Sequence, residues 1–115
     1  MKHFPDWVKE RENLKIEMEI ISRVITQALK EGRTISVCDG EEWPVKKSRD
    51  RAAIERECFA TDYTLFRIRD ASGENIGFVD FIHGNAGHVI SDCTDNETID
   101  AILAPAIAYS ESQGW

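Results

Sequence analysis

The sequence predicts an α+β fold: an antiparallel sheet of three to five strands packed against a long N-terminal helix and a C-terminal helix. Three observations carry this. Leu14, Met18, Ile21, Ile25 and Ala28 recur at alternating spacings of four and three, which is one stripe of a helix. DYTLFRIRD and ENIGFVDFIH flank the short segment Ala71-Ser72-Gly73 and read as a hairpin. Ile99, Ile102, Leu103, Ala106 and Ile107 form a second helical face near the C-terminus.

Each element follows from local chemistry. Ile16, Ile20, Val24 and Leu29 widen the stripe of the first helix, so that helix should meet more than one neighbour. A homodimer seam is a second use for so much apolar surface. Gly32 suits the left-handed residue that ends a helix, with Lys30 in the last turn. Phe4-Pro5-Asp6-Trp7 starts the helix early or forms a separate turn that packs Trp7. TISVC (34–38) reads as a strand, Asp39-Gly40 as a turn, and EWPVK as a returning strand. Pro44 lacks an N–H and assigns that strand to a sheet edge. Ser48 or Asp50 can cap a short surface helix running through Ala52, Ala53, Ile54 and Cys58.

In the main hairpin, Asp70 and Gly73 fit a three-residue loop with a left-handed glycine. That loop predicts Ile68 opposite Ile76, Phe66 opposite Phe78 and Thr64 opposite Asp80, with Ile82 extending this core face. The other face then holds Tyr63, Leu65, Val79 and Phe81, a contact surface or dimer interface. Slipping the register by one residue would exchange the partners of the two faces. Gly84-Asn85-Ala86-Gly87 reads as a loop that sets His83 opposite His88 and Ile82 opposite Val89, followed by a strand HVIS. Thr94-Asp95-Asn96-Glu97 fits a capping box before the last helix. Pro105 should kink that helix or end its first half.

At 115 residues the chain fits one domain, 1–115. No apolar run approaches a membrane span, and the N-terminus has no apolar core of a secretory signal. Cys38, Cys58 and Cys93 are odd in number and widely spaced, without a C-x-x-C pair. Reduced, partly buried thiols in a cytoplasm are the expectation.

Residues 81–100 concentrate the side chains suited to chemistry. His83, His88, Asp92 and Cys93 could complete a metal centre, or a histidine could activate Cys93. The spacing matches no standard zinc pattern, and the nearby carboxylates oppose a thiolate. Asp92, Asp95, Asn96, Glu97 and Asp100 lack the central glycine of a calcium loop. Asp80, inside the apolar FVDFI, calls for a partner such as Arg67, Arg69 or Thr64. No phosphate-loop, dinucleotide or nucleophile-elbow pattern is present. The expectation is therefore a non-enzymatic binder with no cofactor. The alternative is a metal-binding or enzymatic domain centred on His83, His88 and Cys93.

The charge map is the most distinctive feature. The net charge is −7, yet residues 1–69 carry all 14 Lys and Arg. From residue 70 onward there are eight acids and no Lys or Arg, so the excess arises there. Direct nucleic-acid binding is disfavoured, because the basic concentration at Lys46, Lys47, Arg49 and Arg51 is modest. Asp92, Asp95, Glu97 and Asp100 gather at a strand end and helix start. They are expected to meet a basic protein surface, such as that of a nucleic-acid-binding protein.

DGEEWPVKKSRD (39–50) and SDCTDNETIDAILAPA (91–106) resemble motifs of small uncharacterised acidic proteins encoded in phages and prophages. The resemblance spans roughly residues 35–108, leaves the first helix outside, and brings no activity or catalytic residue. It implies a bacterial cytoplasm and a phage-related role. Small acidic phage proteins include inhibitors of host defence such as anti-CRISPR proteins.

Overall fold

The computed structural model describes residues 2–84 and 87–115. In chain order the elements are α1 (Asp6–Lys9), a 3-10 turn (Glu12–Leu14), α2 (Lys15–Lys30), β1 (Thr34–Cys38), β2 (Val45–Ser48) and α3 (Arg51–Arg56), followed by β3 (Tyr63–Arg69), β4 (Asn75–Ile82), β5 (Ile90–Cys93) and α4 (Glu97–Ser112). The strands form one antiparallel sheet in the order β2-β1-β3-β4-β5. The α+β class and the long first and last helices are as the sequence predicts. The 34–48 hairpin joins the sheet through β1, with β2 at the edge; this strand begins at Val45, so Pro44 precedes it rather than lying within it.

Helix α2 buries most of both stripes inside the chain, with Ile16 and Leu29 half-buried against the core. Met18, Ile21 and Ile25 on one stripe and Ile20 and Val24 on the other are all within 4% of full burial. They pack with Ile99, Ile102, Leu103 and Ala106 of α4, and with Ile35, Val37, Phe66, Ile68, Val79 and Phe81 of the sheet, in one continuous core. Each fully buried Ile or Phe contributes about 1.5–3 kcal/mol. This stripe is therefore spent in the core rather than on a dimer seam. Helix α2 ends in the expected left-handed glycine: Gly32 has φ +80, its N–H donates to Leu29 O, and Arg33 N–H donates to Ala28 O at 3.0 Å. The Arg49 guanidinium donates to the carbonyls of Leu29 and Arg33, 3.0 Å each, and satisfies that helix end further.

At the N-terminus, Phe4 rather than Trp7 is the packed residue. Phe4 is 2% exposed and meets Phe59 edge-on at 5.7 Å, while Trp7 is 50% exposed. Helix α3 also lies deeper than its composition predicts. Asp50 caps it through Ala52 N–H (3.0 Å), but Ile54, Glu55, Cys58 and Phe59 are buried. Arg51 clamps α3 to α2: its Nε donates to Glu55 Oε2 at 2.7 Å and its other nitrogens to Ser22 and Thr26. A buried carboxylate is tolerable because it is paired this well.

The main hairpin corrects the predicted register. The turn itself forms as expected, with Asp70 N–H on Glu74 O and Gly73 N–H on Asp70 O, 3.0 Å each. Arg69 faces Asn75, but Ile68 then faces Gly77, because Ile76 is an extra, bulged residue. From there Phe66 pairs with Val79 and Thr64 with Phe81. Val79 and Phe81 are therefore fully buried in the core, whereas Tyr63, Leu65, Phe78 and Asp80 sit half-buried on the outer face. Gly77 explains where the bulge falls. A Cβ there would lie 2.8 Å from Thr94 Cβ and Oγ1 and 2.9 Å from Ile99 Cγ1, so only glycine lets α4 approach the strand.

The predicted capping box does not form. Asn96 is the N-cap of α4, accepting from Ile99 N–H at 2.8 Å, while Thr94 Oγ1 accepts from Phe78 N–H at 3.0 Å and stitches the helix start to β4. Helix α4 continues through Pro105 to Ser112 without ending there. Ile82 N–H donates to Val89 O as the loop reading requires, while Asn85 and Ala86 of that loop lie outside the described residues. Among the described residues no helix is long and apolar enough to cross a membrane.

Candidate functional site

His83 does not face solvent in a hairpin tip. Its side chain is 7% exposed and stacks on Phe59 at 4.0 Å. Its Nδ1 lies 3.2 Å from Glu17 Oε1, and its Nε2 lies 2.7 Å from Thr64 Oγ1. Gly84 N–H donates to Glu17 Oε2 (2.8 Å), and Phe59 N–H donates to Thr64 Oγ1 (3.2 Å). With Nδ1–H donating to Glu17 and the Thr64 hydroxyl donating to Nε2, every polar atom is satisfied. The order carboxylate, imidazole, hydroxyl is that of an acyl-transfer triad. Here Glu17 and Thr64 are each 1% exposed, so the hydroxyl has no open side on which to meet a substrate. The network joins α2, β3 and the residues just after β4, and its role is to hold them together.

Among the described residues, the structure does not bring His83, His88 and Cys93 together as a metal site. Both nitrogens of His83 are engaged, His88 is exposed on a different groove beside Ile107 and Trp115, and Cys93 lies on β5. Among the described residues no three His, Cys, Asp or Glu side chains are placed to share a metal ion. Burial, then Asp100, Asp92, Asp95 and Asp80, push the Cys93 thiol above its ordinary value. The carboxylates disfavour the thiolate a nucleophile needs.

That effect on Cys93 also reports the acidic end itself. Asp92, Asp95, Glu97 and Asp100 are all exposed, and among the described residues none forms a salt bridge. Asp92 lies directly opposite Asp80 across β4–β5. Asp80 finds a partner that sequence reasoning did not name: its Oδ2 accepts from the Tyr63 hydroxyl at 2.8 Å, and its Oδ1 is buried without a hydrogen bond. Burial, followed by the hydrogen bond and charge of Asp80, pushes the Tyr63 phenol up to about 12.

The predicted contact surface of Tyr63, Leu65, Val79 and Phe81 is divided by the register. Only Tyr63 and Leu65 lie on the outer face. What that face gathers instead is basic. Arg67 and Arg69 of β3, Lys46 and Lys47 of β2, Trp43, and Ser36 and Asn75 between them line a groove of about 560 Å³. Lys46 and Arg67 lie twenty-one positions apart in the chain, and β1 brings them together by pairing with both strands. Arg67 donates to Asn75 Oδ1 (3.3 Å) and Arg69 to Ser36 Oγ (3.4 Å), both neutral partners. The basic run noted in the sequence is thus split: Arg49 and Arg51 serve the fold, while Lys46 and Lys47 line the groove. The available signal was Arg67 and Arg69 at alternate strand positions, which share a face.

Compared with known protein families, with curated proteins and with solved structures, the chain matches none.

Proposed function

We propose that the protein acts by binding, and that its acidic end docks on a basic protein surface. The observation that carries this reading is the set of four exposed carboxylates, Asp92, Asp95, Glu97 and Asp100, around the end of β5 and the first turns of α4, with no salt bridge to any of them among the described residues. Asp92 opposite Asp80 destabilises the sheet, so this charge is not placed for stability. Such a field speeds encounter with a cationic partner and falls with salt. The resemblance of residues 39–50 and 91–106 to phage proteins supports a partner in a bacterial cytoplasm. A nucleic-acid-binding protein of host defence, inhibited as anti-CRISPR proteins inhibit theirs, would present such a surface.

The test is kinetic. A partner captured from bacterial lysate is measured against the chain carrying Asp95→Asn, Glu97→Gln and Asp100→Asn. The on-rate should fall and its salt dependence flatten, while circular dichroism stays unchanged. An unchanged on-rate and salt slope would sink the reading and leave these residues as helix-start acids favoured by the helix dipole.

A further inference from the structure

We infer that the groove between β2 and β3 is a nucleotide-binding site, which takes a short phosphorylated ligand on Lys46, Lys47, Arg67 and Arg69 and stacks its base on Trp43. Three observations converge. First, the four cations line one groove, and among the described residues none forms a salt bridge. The two guanidiniums are oriented by neutral atoms, Asn75 Oδ1 and Ser36 Oγ, which leaves their charge uncompensated. Guanidiniums without a carboxylate partner are suited to bidentate phosphate contacts. Second, Lys47 holds φ +49, a left-handed conformation unfavourable for a non-glycine residue, and its N–H is tied to Ser36 Oγ at 2.9 Å. Glycine would adopt that backbone freely, so the lysine sits there against local backbone preference. Third, Trp43 is 37% exposed at the groove wall, an amphipathic ring left open for stacking.

Size and charge choose the ligand. About 560 Å³ is within the range of small-molecule sites. Across the same open face, Asp80 and Asp92 stand side by side on β4 and β5. A long polyanion laid along the sheet would meet those carboxylates, whereas a mononucleotide would not. The expected occupant is therefore a nucleotide rather than a nucleic-acid strand.

The experiment titrates ATP without magnesium, inorganic tripolyphosphate, and an oligothymidylate of about twelve nucleotides, a length that spans a typical single-strand site, into the full chain at low salt. Binding is read by calorimetry and tryptophan fluorescence. ATP should bind and quench fluorescence, and tripolyphosphate should bind more weakly without quenching. Arg67→Gln and Lys47→Gly should each weaken ATP by about tenfold or more, and Trp43→Ala should weaken it similarly and abolish the quench. Lys47→Gly is the informative variant, because it removes the backbone strain and should keep or raise the thermal midpoint while losing affinity. No ATP binding at millimolar concentration would overturn the inference. So would affinity unchanged in Lys47→Gly and Arg67→Gln, or oligothymidylate binding tighter than ATP, which would make the face a single-strand platform.

Discussion

Gly77→Ala tests the packing of α4 on the bulged strand. The added Cβ would stand 2.8 Å from Thr94 Cβ and Oγ1 and 2.9 Å from Ile99 Cγ1. Neither neighbour is a loose side chain. Thr94 is held on both sides, with its N–H on Phe78 O and its Oγ1 on Phe78 N–H, 3.0 Å each, and Ile99 is fully buried. Relief must come from moving the start of α4 away from β4, and forced overpacking of this kind costs about 1–3 kcal/mol. The φ of +155 adds a backbone cost for any side chain, roughly 1–3 kcal/mol where the region is glycine-only. The expected loss is about 2–6 kcal/mol. Gly73→Ala is the control, because Gly73 has φ +92 but nothing within 4 Å of an added Cβ. It carries the backbone cost alone, about 1–2 kcal/mol. Urea denaturation followed by circular dichroism reads both. With a slope of roughly 2 kcal/mol per molar, the Gly77→Ala midpoint should fall by about 1–3 M at unchanged slope, clearly further than that of Gly73→Ala. If the two variants lost the same stability, close approach of α4 would not be what requires glycine, and the account of the bulge would fail.

Other outcomes follow from the same structure. Asp92→Lys should turn the repulsive pair with Asp80 into an attractive one and raise stability by about 0.2–1 kcal/mol, read as a higher urea midpoint. Glu17→Gln and Thr64→Val should each lower stability by about 1–3 kcal/mol. Because both act through His83, the double variant should cost less than the sum, and strict additivity would show that the imidazole does not couple them. The Tyr63 phenol, up to about 12 when folded against about 10 when unfolded, contributes stability that is whole below pH ~10 and is lost as pH rises toward 12. In a Tyr109→Phe background, ultraviolet titration should show this high midpoint, and Asp80→Asn should lower it. With most of both stripes of α2 and with Val79 and Phe81 buried in the core, sedimentation at micromolar concentration should give a 13.1 kDa monomer. A dimer would show that the outer sheet face self-associates.

What could be read from the sequence depended on whether a signal was local. The stripe on α2 and the face on α4 were legible because burial there follows a fixed 3.6-residue period. The turn at Asp70–Gly73 was legible because three residues determine it. The register beyond it was not, since β4 is apolar on both faces: Ile76 and Phe78 on one, Val79 and Phe81 on the other. Alternation cannot choose between them, and one bulged residue did. Gly77 was the only local mark, and its reason, the contact with Thr94 and Ile99, comes from residues seventeen and more positions away. Thr94 resembled a helix cap because its sequence neighbours fit the pattern, but β4 offered it a better donor. The acidic end was visible as a run. The basic groove was invisible as a run, because β1 inserts between its two halves. Glu17 carried a signal that went unused: a carboxylate inside the apolar stripe between Leu14 and Ile21 must find a buried partner.

The two margins of the sheet bear on how the molecule behaves when concentrated. An uncapped strand edge is a template on which another chain can add a strand. Here β2 is four residues long, follows Pro44, carries Lys46 and Lys47, and is distorted where Lys47 turns left-handed. At the other margin β5 is also four residues long, and Asp92 exposes a charge there. Neither border offers a flat, neutral ladder to a neighbour. The same lysines that line the groove therefore also disfavour strand addition at that edge, and a variant that neutralised both should gain a tendency to form fibres.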